Sequence, residues 1–125
     1  MKKCILIYDD DPEILIVTKI ILEKNNYRVE TRPLCDNIIE DISILKPDII
    51  LMDLWIPLIG GESAIILMRN NAETRHLPIL LFSANVETEV IAKRANANGF
   101  LKKPYDVYDL VEMVENTLKE TNPLD

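Results

Sequence analysis

Asp9, Asp10, Asp53, Ser83 and Lys103 are polar residues that stand where apolar runs stop. The run at 4–8 ends on Asp9-Asp10-Asp11, the run at 49–52 on Asp53 and the run at 79–82 on Ser83, while Phe100-Leu101 is followed by Lys102-Lys103-Pro104. Carboxylates crowded into one place repel one another and drive at least one member to protonate. A hard divalent cation relieves that repulsion, and an all-oxygen site with room for water suits Mg²⁺, with Mn²⁺ as a substitute. Lys103 can balance a carboxylate or a transferred phosphoryl group, and the Ser83 hydroxyl can bond a phosphoryl oxygen. Together these groups form a kit for phosphoryl transfer to Asp53, a reaction in which a protein mainly positions groups and neutralises charge. The chain has no GxxxxGK[ST] loop for ATP, so the phosphate is expected from a donor protein or a small phosphodonor. Plainer roles compete. Asp11 reads as an acid at the positive end of a helix dipole, and Ser83 alone would read as a turn or cap residue. Lys102 rivals Lys103, but strand alternation sends it to the opposite face.

These side chains meet only if the runs that carry them lie side by side and point the same way. Short apolar runs with helical patterns between them read as parallel strands buried on both faces. The sequence predicts strands over 3–8, 27–31, 49–52, 79–82 and 100–102. Pro12 opens a first helix whose inner face is Ile14, Leu15, Thr18, Ile21 and Leu22, and Asn25-Asn26 closes it. A second helix turns Ile38, Ile39, Ile42 and Leu45 inward, and a third runs over 62–70. A fourth, over 87–96, has the weakest pattern because Asn96, Asn98 and Gly99 break its end. The last places Val107, Leu110, Val111, Val114 and Leu118 on one face. Five strand–helix alternations with right-handed crossovers give an α/β fold: a doubly wound, flavodoxin-like parallel sheet in order 2-1-3-4-5 with helices on both faces. Its carboxyl edge, where such sheets place their sites, collects every polar strand end.

Bulk properties narrow the classes. The 125 residues suffice for one domain with a real core, so 1–125 reads as a single unit. No apolar stretch approaches the ~20 residues of a membrane span, and no signal peptide precedes the first strand, so cytoplasm is the expected compartment and no membrane partner is expected. Cys4 and Cys35 lack both metal-site and secreted-scaffold spacing, and Cys4 reads as a buried, reduced thiol. A net charge of −7 without a basic stripe speaks against direct nucleic-acid binding.

The acidic pair Asp9-Asp10, Asp53-Leu54-Trp55-Ile56-Pro57 with Gly61, Ser83-Ala84 and Lys103-Pro104 occur in order and near the usual spacing of one family. The chain resembles a receiver domain of two-component response regulators, of the stand-alone kind, from Lys3 to about Lys119. The resemblance implies that Asp53 is the phosphoacceptor. It also implies that Asp10, Asp53 and the Trp55 backbone carbonyl bind Mg²⁺ directly while Asp9 helps through water. Lys103 would pair with Asp53 or its phosphoryl group, and the Lys103–Pro104 peptide would be cis. As a switch, Ser83 would move toward the phosphoryl group and Phe100 would turn inward behind it, remodelling the surface of helix 4, strand 5 and helix 5. The implied donor is a histidine kinase or histidine phosphotransfer protein, and the implied recipient a downstream target protein or output domain. Catalysis would extend only to the chain's own aspartyl phosphorylation and dephosphorylation.

The chain departs from the family in places. Ile59-Gly60-Gly61 stands where Met-Asp-Gly is usual, which predicts a more mobile loop. Trp55 is large for a position bordering the attacking water and is expected to slow phosphoaspartate hydrolysis, whereas Asn85 could orient that water and oppose it. Three other readings compete. A haloacid-dehalogenase-type hydrolase wants an acid where Trp55 stands. A flavin-binding module wants a hydroxyl- and glycine-rich first loop instead of three aspartates. A receiver-like protein-binding scaffold that is no longer phosphorylated would not need the full set of Asp9, Asp10, Asp53, Ser83 and Lys103.

Overall fold

The apolar runs form the centre of a parallel sheet, as shown by a computed structural model that describes residues 2–84 and 87–121. The elements are β1 (Cys4–Tyr8), α1 (Pro12–Lys24), β2 (Arg28–Arg32), α2 (Ile38–Leu45), β3 (Ile49–Asp53), α3 (Gly60–Arg69), β4 (Ile79–Ser83), α4 (Thr88–Arg94), β5 (Gly99–Lys102) and α5 (Val107–Thr121). The strand order is β2-β1-β3-β4-β5, as expected for a doubly wound sheet. Every residue of β1, β3 and β4 is buried, which is why their sequences are continuously apolar rather than alternating.

Alternation divides each strand between two cores. Leu6, Tyr8, Ile50, Met52, Ile79 and Leu81 pack under α2, α3 and α4, whereas Ile5, Ile7, Ile49, Leu51, Leu80 and Phe82 pack under α1 and α5. Carried forward two residues, Ile7 leads to Asp9, Leu51 to Asp53 and Leu101 to Lys103. All three chemical residues therefore belong to the α1/α5 side of the sheet, at its carboxyl edge.

Helix boundaries follow local chemistry. Asp11 caps α1 by accepting from the Glu13 N–H at 2.9 Å, with Pro12 in the first turn. Asn26 takes a left-handed φ of 72° just beyond it. Asn96 does the same at 63°, so α4 spans seven residues and is shorter than its sequence pattern predicts. Val107 is another departure. It opens α5 at the sheet's carboxyl edge and is 42% exposed, so it does not share the buried face of Leu110, Val114 and Leu118.

Arg69, at the end of α3, was not marked out by any sequence motif. Its guanidinium donates to the carbonyls of Asn96, Arg75 and Leu77 and to Asn98 Oδ1, at 2.6–3.0 Å. One side chain thereby satisfies acceptors in both the α3–β4 and α4–β5 connections.

Candidate phosphoacceptor site

Asp53 is the last residue of β3 and its side chain is nearly enclosed at 7% exposure. Asp9 follows β1 immediately, is buried, and has its backbone N–H still paired with Arg32 O at 3.3 Å. Because β1 and β3 are neighbours, the two acids are forced together. Asp10 completes the group: one carboxylate oxygen from each of Asp9, Asp10 and Asp53 lies within 4.8 Å of the others. Strands buried on both faces imply that the acids at their ends are buried too, and this holds for only two of the three. Asp10 is exposed because it lies beyond the bond from the Asp9 N–H to Arg32, so the cluster is open to solvent on its side.

Lys103 closes the site from β5's end. Its backbone N–H donates to Ser83 O at 2.8 Å, and its ammonium donates to Asp9 Oδ2 at 2.9 Å and Asp53 Oδ1 at 3.4 Å. Asp9 spends its other oxygen on the Asp11 N–H at 2.9 Å. Lys102 pairs in register with Ser83 and is exposed, on the opposite face from Lys103. The Lys103–Pro104 peptide is cis.

The electrostatics follow from burial. Enclosure is the largest influence on Asp53 and Asp9 adds to it, pushing the Asp53 carboxyl up to about 6 against the opposing pull of Lys103. Burial alone would depress the Lys103 ammonium, but its bonds to Asp9 and the charge of Asp53 outweigh that and hold it above its usual range. Two carboxylates sharing one ammonium remain under-neutralised. Hard oxygen donors from Asp9, Asp10 and Asp53, one of them facing solvent, fit a divalent cation of the Mg²⁺ type.

The remaining sequence-predicted residues lie around this centre. Ser83 ends β4 and is fully buried. Phe100 is half-buried on β5 and packs against the core beneath α2, α3 and α4. Trp55, in the loop after Asp53, is 64% exposed. With Ile56, Leu58 and Ile91 it lines a groove of about 450 Å³. Asn85 lies outside the described residues. The β3–α3 loop is fastened at two points: Gly61 N–H donates to Leu54 O at 3.0 Å, and the Cys35 thiol reaches Gly60 O at 3.4 Å. A Cβ on Gly61 would collide with the Asp53 carbonyl oxygen, so only glycine lets the start of α3 approach the acceptor strand this closely.

Comparison with known proteins agrees with this geometry. Residues 5–115 match the family described as the response regulator receiver domain. The nitrogen assimilation regulatory protein NtrX of Azorhizobium caulinodans is 32% identical over 92% of this chain and 26% of its own length. The DNA-binding dual master transcriptional regulator RpaA of Synechocystis is 30% identical over 94% of this chain and 50% of its own length. The chain thus spans about a quarter to a half of the curated relatives it matches. Among solved structures, a putative response regulator from Chloroflexus aurantiacus superposes with a TM-score of 0.89 at 27% identity, covering 94% of this chain and 98% of the other. A CheY-like receiver domain protein from Methanospirillum hungatei gives 0.89 at 26% identity, with both chains covered in full. With the sheet order, the acid cluster and the bridging lysine already in place, the match assigns this chain to the response regulator receiver family.

Proposed function

We propose that the chain is a phosphorylation-dependent switch in which Asp53 accepts a phosphoryl group from the phosphohistidine of a histidine kinase or histidine phosphotransfer protein. The observation that carries this reading is the convergence of Asp9, Asp10 and Asp53 with Lys103 bridging two of them. An Asp53 oxygen attacks phosphorus while the phosphorus–nitrogen bond to the donor imidazole breaks. With its carboxyl near 6, Asp53 is still mostly ionised at slightly alkaline pH and can serve as the nucleophile. Asp10, Asp53 and the Trp55 backbone carbonyl would hold Mg²⁺ directly, with Asp9 helping through water, and the ion would supply charge neutralisation for the transferring group. Lys103 binds the phosphoryl oxygens after transfer, and Ser83 donates its hydroxyl to one of them. Phe100 then repacks behind Ser83 and alters the α4–β5–α5 surface that a downstream protein or output domain reads.

Incubation with acetyl phosphate or a phosphorylated histidine kinase, with and without Mg²⁺, tests the proposal by intact mass. A phosphoryl increment that needs Mg²⁺ and is absent in Asp53→Asn is expected. Its absence from the wild-type chain with both donors would overturn the reading.

A further inference from the structure

An ammonium has three N–H donors, and the two carboxylates account for two sides of Lys103. On a third side is an aromatic ring: Lys103 Nζ lies 4.9 Å from the centroid of Phe82. This position follows from the sheet. Phe82 is in register with Asp53 on one side and Leu101 on the other, so its ring lies on the face to which Asp53 and Lys103 also belong. The ring is itself braced, with Tyr105 meeting it edge-on at 6.2 Å and 84°. Tyr105 is itself packed against the core beneath α1 and α5.

We propose that Phe82 is a positioning residue for phosphoryl transfer, its π-face seating the Lys103 ammonium between Asp9 and Asp53, with Tyr105 fixing the ring. The arrangement suits a lysine that must serve two carboxylates without committing to either. A third carboxylate there would compete with Asp53 for the ammonium, and an aliphatic side chain would leave that side of a largely desolvated cation unpartnered. An aromatic face attracts the charge from beneath and offers no rival oxygen. The proposal rests on Asp53 as phosphoacceptor, but the geometry of the seat does not depend on transfer occurring.

The experiment incorporates mono-, di- and trifluorinated phenylalanine at position 82, which drains the ring's negative face at nearly constant shape. Two quantities are read in the wild-type and Lys103→Met backgrounds: the metal-free denaturation midpoint and the rate of Asp53 phosphorylation by acetyl phosphate with Mg²⁺. Both are expected to fall stepwise with fluorination, the rate by about three- to tenfold across the series, and the slope is expected to vanish in Lys103→Met. A midpoint that ignores fluorination, or the same slope without the lysine, would leave Phe82 an ordinary core residue. A graded midpoint with a flat rate would overturn its role in transfer. If the wild-type chain accepts no phosphate, the phosphoacceptor reading fails, and the denaturation series still decides whether the ring seats the ammonium.

Discussion

Lys103 stands closer to Asp9 than to the proposed phosphoacceptor, at 2.9 Å from Asp9 Oδ2 and 3.4 Å from Asp53 Oδ1. The lysine is thus held mainly by a residue that is not expected to react. Asp53 keeps the longer, weaker contact with the ammonium. Burial first and the charge of Asp9 second keep the Asp53 carboxyl high, near 6, and the longer contact with the ammonium does not reverse them.

A pH dependence of stability follows. A carboxyl raised from 3.8 to about 6 binds its proton more tightly in the folded than in the unfolded chain. Its stabilising contribution is complete below the unfolded value and is lost as pH rises through the folded one. For Mg²⁺-free protein, denaturation between pH 4 and 7 should show a loss of roughly 2–3 kcal/mol from this group. Asp53→Asn should remove that slope and be the more stable protein at neutral pH, and added Mg²⁺ should narrow the difference. Equal slopes in both proteins would mean that Asp53 is not held in a costly ionised state.

Lys103→Met should separate charge balance from packing. Removing the ammonium leaves Asp9 and Asp53 facing each other with no cation between them, at an expected cost of about 2–4 kcal/mol in metal-free protein. Mg²⁺ should recover much of that stability, because it substitutes for the missing charge, while phosphotransfer stays slow. Denaturant midpoints with and without Mg²⁺ read this directly. A loss that Mg²⁺ leaves untouched would point to the side-chain stem rather than the charge.

The paired glycines at the start of α3 should respond unequally. Gly60 has a left-handed φ of 77° but open space around the missing Cβ, so Gly60→Ala should cost only about 1 kcal/mol. Gly61→Ala must push backbone away from Asp53, at about 2 kcal/mol or more, and should also weaken Mg²⁺ binding. Similar costs for both, with unchanged Mg²⁺ affinity, would show that the loop relaxes without disturbing the acceptor.

Trp55 follows Asp53 by two residues and is mostly exposed, and its proposed role is to limit access of water to a phosphoaspartate. Trp55→Asn should accelerate dephosphorylation at least several-fold, on the order of 1 kcal/mol of barrier, with little change in stability. Decay of the phosphorylated protein after donor removal gives the rate, and a variant no faster than wild type would refute the shielding role.

Arg69→Met should be among the most destabilising surface-proximal substitutions, at about 3 kcal/mol, because it strips a charged donor from three carbonyls and an amide oxygen at once. Thermal unfolding checks this, and a change within about 0.5 kcal/mol would mean that water replaces the guanidinium.

The amino-acid sequence by itself determined the alternation of strands and helices and the edge at which the polar residues emerge. Buried parallel strands need unbroken apolar runs, and runs such as 49–52 ending in Asp53 can finish only where that environment ends. Asp9, Asp10, Asp53, Ser83 and Lys103 were legible for that reason. Tertiary structure decided what alternation and spacing leave open. Asp10 turns to solvent while Asp9 stays buried, because Asp9's own N–H still bonds to Arg32 of β2 and Asp10 lies beyond that bond. Lys103 stands nearer Asp9 than Asp53 although β5 lies three strands from β1 and only two from β3, a division that strand order alone would not give. Phe82 and Tyr105 look like ordinary core aromatics in sequence, and Arg69 like an ordinary helix-end cation. Their partners lie in other elements, at distances that only the packed chain defines.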